Sequence, residues 1–96
     1  MTAEGSLVDL PAGRQARESM IIVYALKSIT RNYIYVGMTQ NLTERFNRHN
    51  NGYERTTKPY RPFKLIYFEE FNSRAEARVR EKYLKSGAGK EFLKNY

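Results

Sequence analysis

The chain has no cysteine, one histidine and no aspartate beyond Asp9. Without cysteine, disulfides and cysteine-ligated zinc are excluded and nothing points to secretion, so a reducing, cytoplasmic setting is expected. A single histidine makes a His-rich zinc site equally poor. Beyond residue 19 the side-chain carboxylates are seven glutamates, a thin supply for the converging acids that a two-metal nuclease needs. No apolar run reaches the ~18 residues of a membrane-spanning helix, and the first twenty residues lack the basic start and apolar centre of a signal peptide. There is no phosphate-binding loop of the GxxxxGK[ST] type and no GxSxG elbow, and no aspartate stands ready to orient the lone histidine in a hydrolytic triad.

What is present is positive charge and tyrosine. Ninety-six residues suit one small domain with a single core, and 41% hydrophobic content with 14% aromatics argues against a disordered chain. The net charge is +7, from 17 Lys+Arg against 10 Asp+Glu. Residues 1–19 carry −1, so residues 20–96 hold 15 basic against seven acidic side chains, or +8. Such an excess is the electrostatic footprint of a polyanion binder; the plainer account is that it keeps a small domain soluble. An anionic membrane surface is disfavoured, since no helical stretch joins a wide apolar face to clustered lysines.

Residues 1–19, with a Gly-Ser, a Pro-Ala-Gly and no periodicity, read as a flexible leader, and order is expected from Met20. "MIIVYALK" (20–27) and "NYIYVGM" (32–38) are rich in β-branched and aromatic residues and read as strands joined by the polar link "SITR". In "NLTERFNRHNNG" Asn41 is a helix cap with Glu44 three later, and Gly52 a stop. Leu42 and Phe46 face one way on that helix, Arg45 and His49 share another edge. "YERTTKPYRP" (53–62) is a basic aromatic loop that Pro59 and Pro62 should keep irregular. "FKLIYFEEF" (63–71) reads as a third strand, a helix capped by Ser73 runs to Gly87, and "GKEFLKNY" is a short last helix. The order β-β-α-β-α-α implies an α+β fold, a small three-stranded sheet flanked by helices, over residues 20–96.

Several residues stand out for chemistry. A four-residue link, Ser28–Arg31, would set Tyr24 directly opposite Tyr35 on one sheet face, whereas a five-residue link would separate them; both are equally explained as strand aromatics. Gly37 is better explained by close backbone approach or a positive φ than by packing. Glu81 lies at the margin of its helix's packed face, suited either to a site or to a surface ion pair with Lys85 or Arg78. Arg45 and His49 suit a phosphate grip or a solvated face. Lys58, Arg61, Tyr53 and Tyr60 in the loop suit backbone phosphates or base stacking, or are rim residues.

"IVY" at 22–24, ten residues, then "YVG" at 35–37 resembles the signature of the GIY-YIG nuclease superfamily, with Ile22 in place of the first glycine and Val36 in place of the second isoleucine. The likeness continues through "NLTERFNRHNNG" and "TTKPYRPFKLIYFEEFNSRAEARVREKYLKSG", covers residues 20–94, and is to the small stand-alone bacterial members, similar to the nuclease domain of excision repair. The resemblance implies a metal-dependent DNA endonuclease acting on structured or damaged DNA with little sequence specificity, RNA being left open. It implies Tyr24 and Tyr35 as the motif tyrosines, Arg45 and His49 as charge-neutralising groups, and Glu81 as the one ligand of Mg²⁺ or Mn²⁺. Tyr24 is the candidate general base or water-positioner, a role that requires nearby cations to lower its pKa. Arg45, Lys58, Arg61 and Tyr60 are the expected nucleic-acid contacts. Met38 stands where some relatives have a lysine after the motif glycine, and Asn95 is the one candidate for an asparagine that several relatives carry after the glutamate helix. With no second DNA-binding domain in view, weak, salt-sensitive binding is expected, strengthened by homodimerisation or a repair partner. Two other classes stay open, a non-catalytic nucleic-acid-binding module and a protein-interaction domain of DNA repair.

Overall fold

The computed structural model describes residues 20–96; the stretch 1–19, read as a leader, lies outside the described residues. The elements run β1 (Ile21–Ser28), β2 (Ile34–Thr39), α1 (Leu42–Asn50), β3 (Phe63–Phe71), α2 (Arg74–Lys85) and α3 (Gly87–Lys94). They form one antiparallel sheet in the order β2-β1-β3, the expected α+β arrangement.

The central strand explains the layering. Successive side chains of β1 alternate between faces, and both faces are covered, so "IIVYAL" is apolar throughout. Ile22, Tyr24 and Leu26 pack with Leu42 and Phe46 of α1 and with Phe63. Ile21, Val23 and Ala25 pack with Ala77 and Leu84 of α2 and Leu93 of α3. The sheet is therefore sandwiched, α1 on the tyrosine face and α2 with α3 on the other. Each helix starts on a side-chain cap: Asn41 accepts from the Glu44 N–H at 3.1 Å, Ser73 from Glu76 N–H at 3.2 Å, Ser86 from Gly89 N–H at 3.2 Å.

The β1–β2 connection departs from expectation. It is five residues, 29–33, rather than "SITR", because Ser28 belongs to the strand and organises the turn. Its buried Oγ accepts from the N–H groups of Thr30 at 3.3 Å and Arg31 at 3.0 Å, and donates to Tyr60 O at 2.6 Å. The register moves by two rather than one: Tyr24 pairs with Gly37, and Tyr35 with Leu26. A shift of two restores the face, so the tyrosines sit diagonally on one side with ring centroids 6.1 Å apart. The loop 53–62 also differs from the irregular stretch expected. Lys58–Tyr60 form a 3₁₀ turn with Pro59 in its first positions, where its missing N–H costs nothing.

Candidate active site

Three elements converge beneath α1. Strand β1 supplies Tyr24, β2 supplies Tyr35 and Gly37, and α1 supplies Arg45, Arg48 and His49. A β-carbon on Gly37 would lie 2.7 Å from Tyr24 Oη and 2.9 Å from Tyr35 Cε2. Close approach, the expected reason for this glycine, is what the strand pair uses to admit the two rings. Helix α1 stops where Gly52 adopts φ +80°, a conformation favouring glycine. Its last turn is fastened to β3 by Asn50, whose Oδ1 accepts from Phe63 N–H at 2.6 Å while its Nδ2 donates to Phe63 O at 3.3 Å.

His49 does not share an exposed edge with Arg45. With Leu42 and Phe46 it forms the buried stripe of α1, the i, i+4, i+7 spacing of a packed face, and only 1% of it is exposed. Burial of an imidazole demands partners for both nitrogens. Thr57, wholly buried, has its hydroxyl 2.8 Å from His49 Nδ1 and 3.4 Å from Glu54 O; we assign the Nδ1–H tautomer, which lets that hydroxyl accept from the ring and donate to the carbonyl. Nε2 is thereby left to accept the Tyr24 hydroxyl at 3.0 Å. The result is a chain running Tyr24 to His49 to Thr57 to the Glu54 backbone, buried at every side chain.

Burial pushes the His49 imidazole down to about 4, aided by Arg45 and Arg48 and opposed by Glu54. It is a neutral base at physiological pH. Burial likewise raises the Tyr24 phenol, reinforced by neighbouring Tyr35; Arg45 acts in the lowering direction that a tyrosine base requires and is outweighed. Tyr24 is thus a neutral hydroxyl that donates.

Outside this buried chain lies charge. Glu54 Oε2 accepts from Arg48 Nε at 2.8 Å and lies 3.4 Å from Arg45 Nε, a nitrogen buried without a hydrogen bond. The hydrogen bond from Arg48 holds the Glu54 carboxyl below its usual range. The two arginines and Glu54 line a cleft of about 380 Å³ with Thr39, Asn41 and Glu44. Arg45 links cleft and chain, since its field reaches both Tyr24 and His49. Tyr35, part-exposed, has its ring 4.8 Å from that of His49.

The other candidates are placed apart. Tyr60 stacks on Tyr33 at 3.9 Å, with the Arg31 guanidinium 5.5 Å over its ring. Lys58 and Arg61 are exposed beside Gly52, at the C-terminal end of α1. Tyr53 lies under Arg48 at 5.8 Å. Glu81 stands on α2, over the opposite sheet face, with its carboxylate 3.1 Å from Lys85 Nζ; among the described residues no hydrogen bond or ion pair joins it to Tyr24, Tyr35, Arg45 or His49. Asn95 ends α3, its side chain donating to Glu91 O at 3.0 Å. No group of three or more His, Asp or Glu able to hold a metal occurs among the described residues, and no helix there is long and apolar enough to cross a membrane.

Three participants escaped the sequence reading. Arg48 had a signal, standing three residues after Arg45 on the same helical edge. Glu54 and Thr57 had none, because nothing in "YERTTKPY" says which threonine the loop buries or which way the carboxylate turns.

The site is thus a tyrosine–histidine pair buried in a small sheet under a helix, with arginines at its mouth and a glycine opposite the first tyrosine. A family profile described as the GIY-YIG catalytic domain matches residues 20–95, and the chain belongs to that nuclease superfamily. It is 43% identical over 67 residues to a UPF0213 protein of Clostridium perfringens (strain 13 / Type A), spanning 69% of this chain and 71% of that one. A UPF0213 protein of Pediococcus acidilactici is 40% identical over 65 residues, 64% of this chain and 65% of its own length. One of Staphylococcus haemolyticus is 39% identical over 64 residues, 66% of this chain and 78% of its own. No solved structure matches the chain.

Proposed function

We propose that this protein is an endonuclease that hydrolyses phosphodiester bonds of DNA, structured or damaged, with little sequence specificity. The observation that carries the reading is the buried Tyr24–His49–Thr57 chain, with His49 held neutral, next to a cleft of two arginines. Phosphodiester hydrolysis needs a proton acceptor for the attacking water and positive charge for the developing oxyanion, and the two lie side by side here.

Tyr35, Arg45 and Arg48 meet the substrate, because they are exposed in part while Tyr24 and His49 are covered. Arg45 and Arg48 hold the scissile phosphate; Glu54 keeps their guanidinium groups in place and yields them to the stronger anion. Tyr35 orients the attacking water. The proton leaves that water for the part-exposed Tyr35 hydroxyl as Tyr35 passes its own proton to its neighbour Tyr24 and Tyr24 passes its own to His49 Nε2, so none of the three needs to be charged beforehand. Thr57 fixes the tautomer that leaves Nε2 free to accept.

A divalent cation, Mg²⁺ or Mn²⁺, belongs to this reading. The reading gives the ion one protein carboxylate, which Mg²⁺ tolerates because it keeps most of its waters and takes one or two carboxylates plus substrate phosphate; among the described residues no cluster of three or more His, Asp or Glu stands ready to hold it. Glu81, with its side chain 17% exposed and paired to the exposed Lys85, is the residue that would hold it. Such an ion would supply Lewis-acid stabilisation of phosphate charge, from a carboxylate that stands across the sheet from the arginine cleft.

The test is cleavage of labelled hairpin, flap, branched and single-stranded DNA at low salt with Mg²⁺ or Mn²⁺, using wild type, Tyr24→Phe and Glu81→Ala. Metal-dependent cutting lost in both variants supports the assignment. Absence of cutting by wild-type protein on every substrate, with DNA binding intact, overturns it in favour of a binding module.

A further inference from the structure

A second cleft opens on the sheet face opposite the tyrosines, at the hairpin end of the sheet. Its floor is apolar, from Ile34, Ile66 and Leu93, and Lys27, Lys64 and Lys94 stand around it with the ring of Tyr96, enclosing about 540 Å³. Lys27 and Lys64 are direct register partners on β1 and β3, and like charges set opposite each other on a sheet destabilise it. Among the described residues none of the three lysines has a carboxylate within ion-pair distance. The Lys27 ammonium donates to the carbonyls of Ser28 at 3.2 Å and Arg31 at 3.1 Å, which fixes it and leaves one donor unused. Tyr96 is 71% exposed, yet its ring is held edge-on by Tyr67 at 5.2 Å and flanked by Phe92 at 5.5 Å. Three cations without an ion-pair partner among the described residues and a fixed ring around an apolar floor ask for an anion that also carries flat, weakly polar surface.

We propose that this cleft is a second, non-catalytic phosphate-binding site, which takes the sugar–phosphate backbone of a nucleic-acid strand whose other part lies in the arginine cleft. The proposal rests on the nucleic-acid reading of that first cleft. The described residues measure 35 × 28 × 27 Å, with the two clefts on opposite sides of one sheet. A straight duplex against one face cannot reach the other, whereas a bent, branched or unpaired nucleic acid passes round the sheet edge. Lys64 and Lys94 contact phosphates, Lys27 keeps the hairpin in register with them, and Tyr96 packs against the sugar or base.

The test is fluorescence anisotropy with a fluorescein-labelled single-stranded 30-mer and a 6-mer, in EDTA, across a salt series. The cleft variant Lys64→Gln with Lys94→Gln is set beside Arg74→Gln with Lys82→Gln, which removes the same charge from exposed positions elsewhere. The cleft variant is expected to weaken 30-mer binding about tenfold at 50 mM salt and to reduce the salt slope by ~1.4, at ~0.7 per phosphate of a single strand. The control pair changes it less than twofold, and the 6-mer, too short to span both clefts, binds the two variants alike. Equal losses in the two variants overturn the proposal, since net charge alone then accounts for binding. So does ADP displacing the 30-mer at equal concentration, which marks a mononucleotide site. Binding is read without cleavage, so failure of the nuclease assignment leaves the comparison intact, and equal losses with cleavage preserved sink the second site alone.

Discussion

Acid should loosen this fold through one side chain. The chain has a single histidine, and His49 is pushed down to about 4 from its ordinary 6.5, chiefly by burial. Between those two values the unfolded chain binds a proton that the folded chain refuses. Stability from this group is therefore complete above pH 6.5 and is lost as pH falls toward 4. The difference of two and a half units, at about 1.36 kcal/mol per unit, comes to about 3 kcal/mol, of which ~2 is gone by pH 5. The cause is desolvation: an imidazolium would still find Thr57 and Tyr24 oxygens to donate to, but it would carry charge where nothing is exposed, beside Arg45 and Arg48. Glu54 faces the same ring and partly offsets them, and its own carboxyl stays ionised at pH 5, being held below its usual range. Urea unfolding followed by far-ultraviolet circular dichroism, at pH 7.5 and 5.0, measures the effect. With a urea slope of about 2 kcal/mol/M for a small domain, the wild-type midpoint should fall by ~1 M. His49→Gln, less stable at pH 7.5, should show little further loss at pH 5.0. The reasoning is refuted if wild type and His49→Gln lose the same amount, because the proton would then be taken up elsewhere.

The remaining predictions concern the same neighbourhood. Thr57→Val strips His49 Nδ1–H of its acceptor in a buried place and should cost about 1–3 kcal/mol in urea unfolding, whereas Thr57→Ser should be nearly neutral; an unchanged midpoint in Thr57→Val would mean that Nδ1 has another partner. Gly37→Ala places a methyl 2.7 Å from Tyr24 Oη, and should cost about 1–3 kcal/mol by overpacking, lowering Tm by several degrees and cleavage with it; wild-type values for both would show that the rings need no such clearance. Arg45→Gln should lower cleavage about 10²-fold or more while DNA affinity, measured by anisotropy, falls only severalfold through loss of one phosphate contact. Equal falls in rate and affinity would make Arg45 a binding residue alone.

How far the sequence exposes this site depends on which force decides each position. Alternation and capping are local, so β3 and the caps Asn41 and Ser73 are where the pattern puts them. The hairpin register was not legible, because Ser28 works through a hydrogen bond to Tyr60 O, 32 residues away, and no local pattern encodes a partner at that range. His49 misled for a different reason. A polar residue at i+4 from Arg45 reads as part of a basic edge, and only the partner oxygens of Tyr24 and Thr57 make its burial tolerable. The burial of Tyr24 follows the same logic in reverse, since strand aromatics are expected to be covered, yet the hydroxyl must then be satisfied and His49 is the group in reach. Each of the two polar groups is thus buried because the other is there to receive it. A reading that treats positions one at a time undervalues both, and the family signature, which contains the tyrosines as a pair, retrieves what single positions conceal.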